Sequence, residues 1–210
     1  MLVFDNVTLS VGNRPLFPSL SAEVSAGDTL CLVGPSGVGK SSVLNYACGF
    51  LPDDIEGAGE ITLEGQAITQ LPPNERQLGR LFQDALLFPH LSVAQNIAFG
   101  LAAGGSKRER LATVADALER CGLAGFEDRD PASLSGGQRA RVALMQVLLA
   151  EPKALLLDEP FSALDRATRQ TVRKLVFREA RTRQLPVVLV THDPDDVQAA
   201  GGRSIQLGSG

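Results

Sequence analysis

The sequence predicts an α/β fold: a mainly parallel sheet with an antiparallel β portion, interrupted by a helical insert. Three observations point there. Strand and helix patterns alternate along the chain. Three runs, TLCLV (29–33), KALLLDE (153–159) and LPVVLVTH (185–192), read as strands buried on both faces. The first leads directly into GPSGVGKS (34–41) and then a helix, the order that a phosphate-binding loop requires. With 210 residues, 44% of them apolar, one large domain with a subdomain can bury a sizeable core.

Residues 2–9 (LVFDNVTL) alternate apolar and polar as a half-exposed strand does, and strand-like text continues to Val24. Gly27-Asp28 marks a turn before TLCLV. A helix is expected from Lys40 to about Cys48, closed by Gly49. Residues 60–68 read as strand and turn, Pro72-Pro73 breaks the chain, and LGRLF (78–82) is strand again. Residues 92–124 are expected to be helical, with Ser92 as N-cap and amphipathic spacing in SKRERLATVADALERCGL. Further helices are expected over about 137–150 and 166–183, then a short helix after residue 192 and a strand near 204–207. The organisation is therefore a core of 1–84 and 151–210 around a helical insert of 85–150.

A formal net charge of −4 without a large basic patch argues against nucleic acid as a partner. Cys31, Cys48 and Cys121 lack a CxxC spacing and read as reduced thiols, the first two as small core fillers. No run of about 18 apolar residues is present to span a bilayer, and MLVFDNVTLS is no secretory signal. A cytoplasmic location is expected, with any membrane role exerted through a partner. SKRER (106–110) reads as a solvated helix face.

Three motifs carry chemistry. In GPSGVGKS (Gly34, Pro35, Ser36, Gly37, Val38, Gly39, Lys40, Ser41) the glycines let backbone amides approach a phosphate without Cβ collisions. Lys40 reaches the β and γ oxygens, Ser41 offers a hydroxyl to Mg²⁺, and Ser42 is placed for the α-phosphate. At the end of ALLLDE, Asp158 faces Mg²⁺ and Glu159 can polarise an attacking water. Acidic residues at a strand end are otherwise ordinary loop polarity. In LSGGQ (134–138), Ser135, Gly136, Gly137 and Gln138 open a helix with a second bare glycine turn, again suited to an anion. The plainer reading is a helix cap with Ser135 as N-cap; two glycines and a glutamine exceed what capping needs.

At these residues the chain resembles the ATP-binding cassette (ABC) ATPases over nearly its whole length. The resemblance implies a P-loop NTPase core plus a helical subdomain, ATP and Mg²⁺ as ligands, and two ATPase subunits paired head to tail. The Ser135, Gly136 and Gly137 of one copy would then face the γ-phosphate held by Lys40 of the other. It assigns Gln83 to the sensing of Mg²⁺ and water, His192 to the γ-phosphate and to orienting Glu159, and Asp165, in SALD (162–165), to the dimer interface. Asp165 can equally cap the helix after it, and the two roles are compatible. Asp128 and Asp130 either support that interface or are loop polarity. The chain departs from the family at Val11, where an aromatic residue that stacks on adenine is usual. An aliphatic face offers no π-stacking, so looser base selection is expected; Phe17 is a possible substitute or a core residue.

FQDALLFPHLSVAQNIAFGL (82–101) resembles bacterial importer ATPase subunits, which implies integral membrane permease subunits as partners and a peripheral position on the inner face of the cell membrane. Phe88, Leu91 and Phe99 would line the groove for the permease, or pack in the core, and His90 belongs to a partner surface. Because the chain stops soon after His192, an added C-terminal regulatory domain is not expected. A nucleotide kinase or GTPase has no use for SGGQ, and no NKxD motif is present. A non-transport ABC ATPase that regulates or scaffolds a membrane complex is the alternative. The transported molecule is not encoded here.

Overall fold

The computed structural model describes residues 1–201 and 203–208. The first half of the chain forms β1 (Leu2–Val11), β2 (Arg14–Pro15), β3 (Leu20–Val24), β4 (Thr29–Val33), α1 (Lys40–Cys48), β5 (Glu56–Leu63), β6 (Gln66–Ala67), β7 (Leu78–Leu81) and α2 (Val93–Phe99). The second half forms α3 (Lys107–Arg120), α4 (Gly136–Leu149), β8 (Ala154–Asp158), α5 (Arg166–Thr182), β9 (Val187–Val190), α6 (Pro194–Ala200) and β10 (Arg203–Gln206). Two compact units result. One takes Met1–Leu78, Lys153–Glu159 and Phe177–Gly210; the other takes Gly79–Pro152 and Pro160–Val176.

The first unit holds two sheets. The antiparallel one runs β2-β1-β5-β6, with β3 also on β1. Leu2 and Phe4 point inward, yet so do Val7 and Leu9, an inversion of the alternation. A β-bulge at Asp5-Asn6 absorbs it: pairing with β5 shifts between Asp5 and Thr8, and Asn6 adopts φ 48°. Gly59 makes the bulge possible, because a Cβ there would collide with the Asn6 carbonyl.

In the same unit β10, β4, β9 and β8 are hydrogen-bonded in that order, all parallel. Their buried runs explain the unbroken apolar text, since the sheet is covered on both sides. Phe4 and Ile61 from one sheet, Leu32, Leu156 and Val188 from the other, and Val43 and Leu44 of α1 share one core. Gly49 ends α1 in the left-handed conformation, as the sequence predicts.

The second unit is mainly helical: α2, α3, α4 and the first part of α5, with Ile97, Leu118, Leu144, Leu148 and Phe161 fully buried. The expected helix over 92–124 is two helices. Gly104 and Gly105 lie at positive φ in the break, and Ser106 starts α3 afresh. Ser106 accepts from the Glu109 N–H at 3.2 Å while Glu109 accepts from the Ser106 N–H at 2.7 Å, a capping box. The S-x-x-E spacing signalled this start within the sequence itself.

Candidate active site

The carboxyl ends of β4, β8 and β9 carry the loops of the site, where ligands gather in α/β sheets. Gly34 sits at φ 148° with the Leu207 carbonyl 2.5 Å from where a Cβ would stand, so no side chain fits. Gly39, at φ 95°, is the N-cap of α1 and offers no side chain to its free amides. Every other α-helix among the described residues has a polar side chain there: Ser92, Ser106, Ser135, Asp165 and Asp193. The four orphan N–H groups of a helix start need acceptors, and α1 leaves that place to a ligand. Its dipole favours an anion.

Lys40 is buried, and its ammonium donates to the carbonyls of Gly34 (2.8 Å) and Pro35 (2.9 Å), which folds the cation over the loop. The Ser41 hydroxyl donates to Asp158 Oδ1 at 2.8 Å, joining the start of α1 to the end of β8. Two hard oxygen donors meet there. Among the described residues no group of three or more His, Cys, Asp or Glu could form an all-protein metal cage. The donor set therefore fits Mg²⁺, which takes one or two protein ligands together with phosphate oxygens and water.

Glu159 follows Asp158 and is held at φ 46°, a conformation that costs a residue with a Cβ about 1 kcal/mol. Its N–H donates to the Val190 carbonyl at 3.0 Å, which ties it to β9. His192 follows β9; its Nδ1 lies 3.3 Å from Glu159 Oε2, with the imidazole 66% exposed. A carboxylate and an imidazole in contact can hold and pass a proton. A pocket of about 350 Å³ adjoins these groups, lined by the polar Lys40, Ser41, Ser42 and Glu159 and by the aliphatic Val11, Leu16 and Ile55. Phe17 is buried in the core. Leu16 and Ile55 escaped the sequence reading, because single aliphatic residues in loops carry no local signal.

The remaining expected residues belong to the second unit. Gln83 is exposed just past β7. Ser135 and Gln138 form a capping box at α4: Gln138 Oε1 accepts from the Ser135 N–H at 2.8 Å, and Ser135 Oγ from the Gln138 N–H at 3.3 Å. The cap reading thus holds, and it accounts for Gln138. Gly137 is bare for packing, since a Cβ would strike Thr168. Gly136 is different: a Cβ would meet only Leu164, at an ordinary 3.5 Å, and its φ is not positive. Neither fold nor packing demands that glycine. Asp165 accepts from the N–H groups of Ala167 and Thr168, both at 3.1 Å, and so caps α5. Hydrogen bonds from Thr168, side chain first and then backbone, followed by Ala167, hold its carboxyl below the usual range.

An apolar groove of about 340 Å³ opens in this unit, lined among others by Phe82, Leu86 and Phe99 and by Ala143 and Val147 of α4. Leu86 is 62% exposed and Phe99 64%. Phe88 packs against Phe99, ring centroids 4.5 Å apart and planes inclined at 50°. Buried Asn96 shapes the preceding loop: its Oδ1 accepts from the Phe88 N–H, and its amide donates to the carbonyls of Phe88, Leu91 and Ser92.

Residues 17–162 match the protein family described as ABC transporter. The chain belongs to that family. It is an ATP-binding cassette ATPase. An uncharacterised ABC transporter ATP-binding protein of Escherichia coli, YnjD, is 50% identical over 95% of this chain and 92% of its own length. The sulfate/thiosulfate import ATP-binding protein of Gloeobacter violaceus is 41% identical over 100% of this chain. The thiamine import ATP-binding protein of Photobacterium profundum is 44% identical over 88% of this chain. The cassette spans 60% of the first of these two importer subunits and 76% of the second. Among solved structures, an ATP-binding cassette described as a dimer in a post-hydrolysis state with ADP and Pi superposes with a TM-score of 0.81. It is 28% identical, over 99% of this chain and 94% of that one. No helix of the cassette, among the described residues, is long and apolar enough to cross a membrane.

Proposed function

We propose that this cassette powers a bacterial importer by closing head to tail on a second copy around two ATP molecules. The uncapped start of α1, with Lys40 folded over its loop and Ser41 bonded to Asp158, is the observation that carries the reading. ATP would place its phosphates on the amides of 36–42, and Mg²⁺, held by Ser41 and Asp158, would neutralise phosphate charge. Glu159 positions and deprotonates the attacking water, His192 orients Glu159, and Ser135 and Gly136 of the second copy meet the γ-phosphate. Gly136 is bare for that approach. The base rests on Val11, Leu16 and Ile55, three aliphatic side chains that offer it no hydrogen bond. A site that reads a base by shape alone discriminates weakly, so ATP and GTP are expected within about tenfold of each other.

The import relatives support the direction, and the exposed Leu86 and Phe99 support a cytoplasmic segment of a membrane permease as the occupant of the groove. The cassette would thereby sit on the cytoplasmic face of the membrane through its partner. Glu159→Gln tests the chemistry. It should bind ATP, lose hydrolysis by at least about 100-fold and accumulate as an ATP-bound dimer in size exclusion. Hydrolysis at the unaltered rate would refute the role of Glu159.

A further inference from the structure

His192 is mostly exposed, and little packing holds its ring. What fixes it must act through the backbone on either side. On one side stands Thr191, 2% exposed; four residues beyond His192 stands Asp196, 3% exposed. Thr191 Oγ1 donates to Asp196 Oδ2 at 2.7 Å and accepts from the Asp193 N–H at 3.1 Å. One hydroxyl therefore pins both neighbours of His192. The Thr191 N–H reaches back to the Leu32 carbonyl on β4 at 3.4 Å.

Capping does not explain the pair. Asp193 already caps α6, its Oδ1 accepting from the Asp195 N–H at 2.9 Å. Stability does not explain it either. A buried carboxylate pays desolvation that a well-packed apolar pair avoids, and the adjoining β9 is entirely valine and leucine. What a short, charge-assisted bond adds over apolar contact is direction.

We infer that the Thr191–Asp196 hydrogen bond is a strut that sets His192 against Glu159, which makes both members positioning residues for hydrolysis. This rests on the catalytic reading of His192 and Glu159 given above. Neither Thr191 nor Asp196 lines the pocket beside Lys40, Ser41 and Glu159. Loss of the strut should lower turnover and leave ATP binding alone.

The experiment compares Thr191→Val, Thr191→Ser and His192→Ala in the full chain, reading kcat, KM for ATP and the melting temperature. Valine keeps the volume and deletes the hydroxyl; serine keeps the hydroxyl. Misplacing a catalytic group by about 1 Å costs on the order of 100-fold, so Thr191→Val should lower kcat about 10- to 100-fold, with KM within about twofold. Thr191→Ser should restore kcat. A Thr191→Val protein with undiminished kcat, or a Thr191→Ser protein as impaired as the valine variant, overturns the strut. If Thr191→Val fails to fold, Asp196→Asn, which keeps an acceptor for Thr191, and Asp196→Leu, which removes it, take its place. Kcat retained in both, or lost in both, overturns the strut. Undiminished kcat in His192→Ala would instead overturn the underlying reading of His192.

Discussion

At the scale of single residues, two adjacent glycines separate packing from chemistry. Gly137 is walled by Thr168, so Gly137→Ala should overpack the contact of α4 with α5 and cost about 1–3 kcal/mol, read from urea unfolding. Gly136→Ala meets only ordinary contact. It should fold with undiminished or slightly raised stability, because alanine favours a helix, and still hydrolyse ATP poorly. Full activity in Gly136→Ala would remove the argument that this position faces a phosphate. Val11 offers a gain rather than a loss. Val11→Tyr supplies the ring that the base seat lacks, and aromatic pairing worth about 0.5–1.5 kcal/mol should tighten ATP severalfold in calorimetric titration. Gln83 owes its assignment to the resemblance alone: Gln83→Ala should depress kcat with the melting temperature unchanged. Buried Cys31 has no such role. Burial first, and then the charge of Asp196, push its thiol up to about 11, which leaves it protonated and inert at neutral pH.

At the scale of elements, the helix starts divide the labour. Among the described residues five α-helices are closed by their own side chains and one is left for a ligand, and the sequence spells both. GPSGVGKS and the S-x-x-Q and S-x-x-E boxes are local codes, which is why Lys40, Ser41 and the cap at Ser135 were legible. The break between α2 and α3 was equally written, at Gly104, Gly105 and Ser106, and was overrun by the helical text around it. Long-range contacts were not legible. Arg76 is buried and donates to four carbonyls: Leu71 (2.8 Å), Thr69 (2.6 Å), and Tyr46 and Ala47 (both 2.8 Å) in the last turn of α1. Nothing near PPNER in the sequence announces that reach. The clamp holds the far end of the helix whose start carries the phosphate loop. Arg76→Ala takes a donor from each of those carbonyls, of which Tyr46 keeps the Gly49 N–H, and should cost about 3 kcal/mol. Thermal unfolding checks this, and Arg76→Lys should rescue little because an ammonium cannot fork to several carbonyls.

At the scale of the whole molecule, the chain carries a phosphate loop in its first unit and LSGGQ in its second. On the proposed reading a second copy brings its LSGGQ to the triphosphate held by the phosphate loop, and two-fold pairing does so twice. A pair of inactivated variants tests this most directly. Lys40→Ala removes the phosphate-loop cation but leaves LSGGQ intact, and Ser135→Arg blocks LSGGQ but leaves the loop intact. Each alone should be inactive. Mixed, they form dimers in which the intact loop of one meets the intact LSGGQ of the other, and ATP hydrolysis should return in proportion to those mixed dimers. A mixture as silent as its parts, or full hydrolysis by Ser135→Arg alone, would contradict the account.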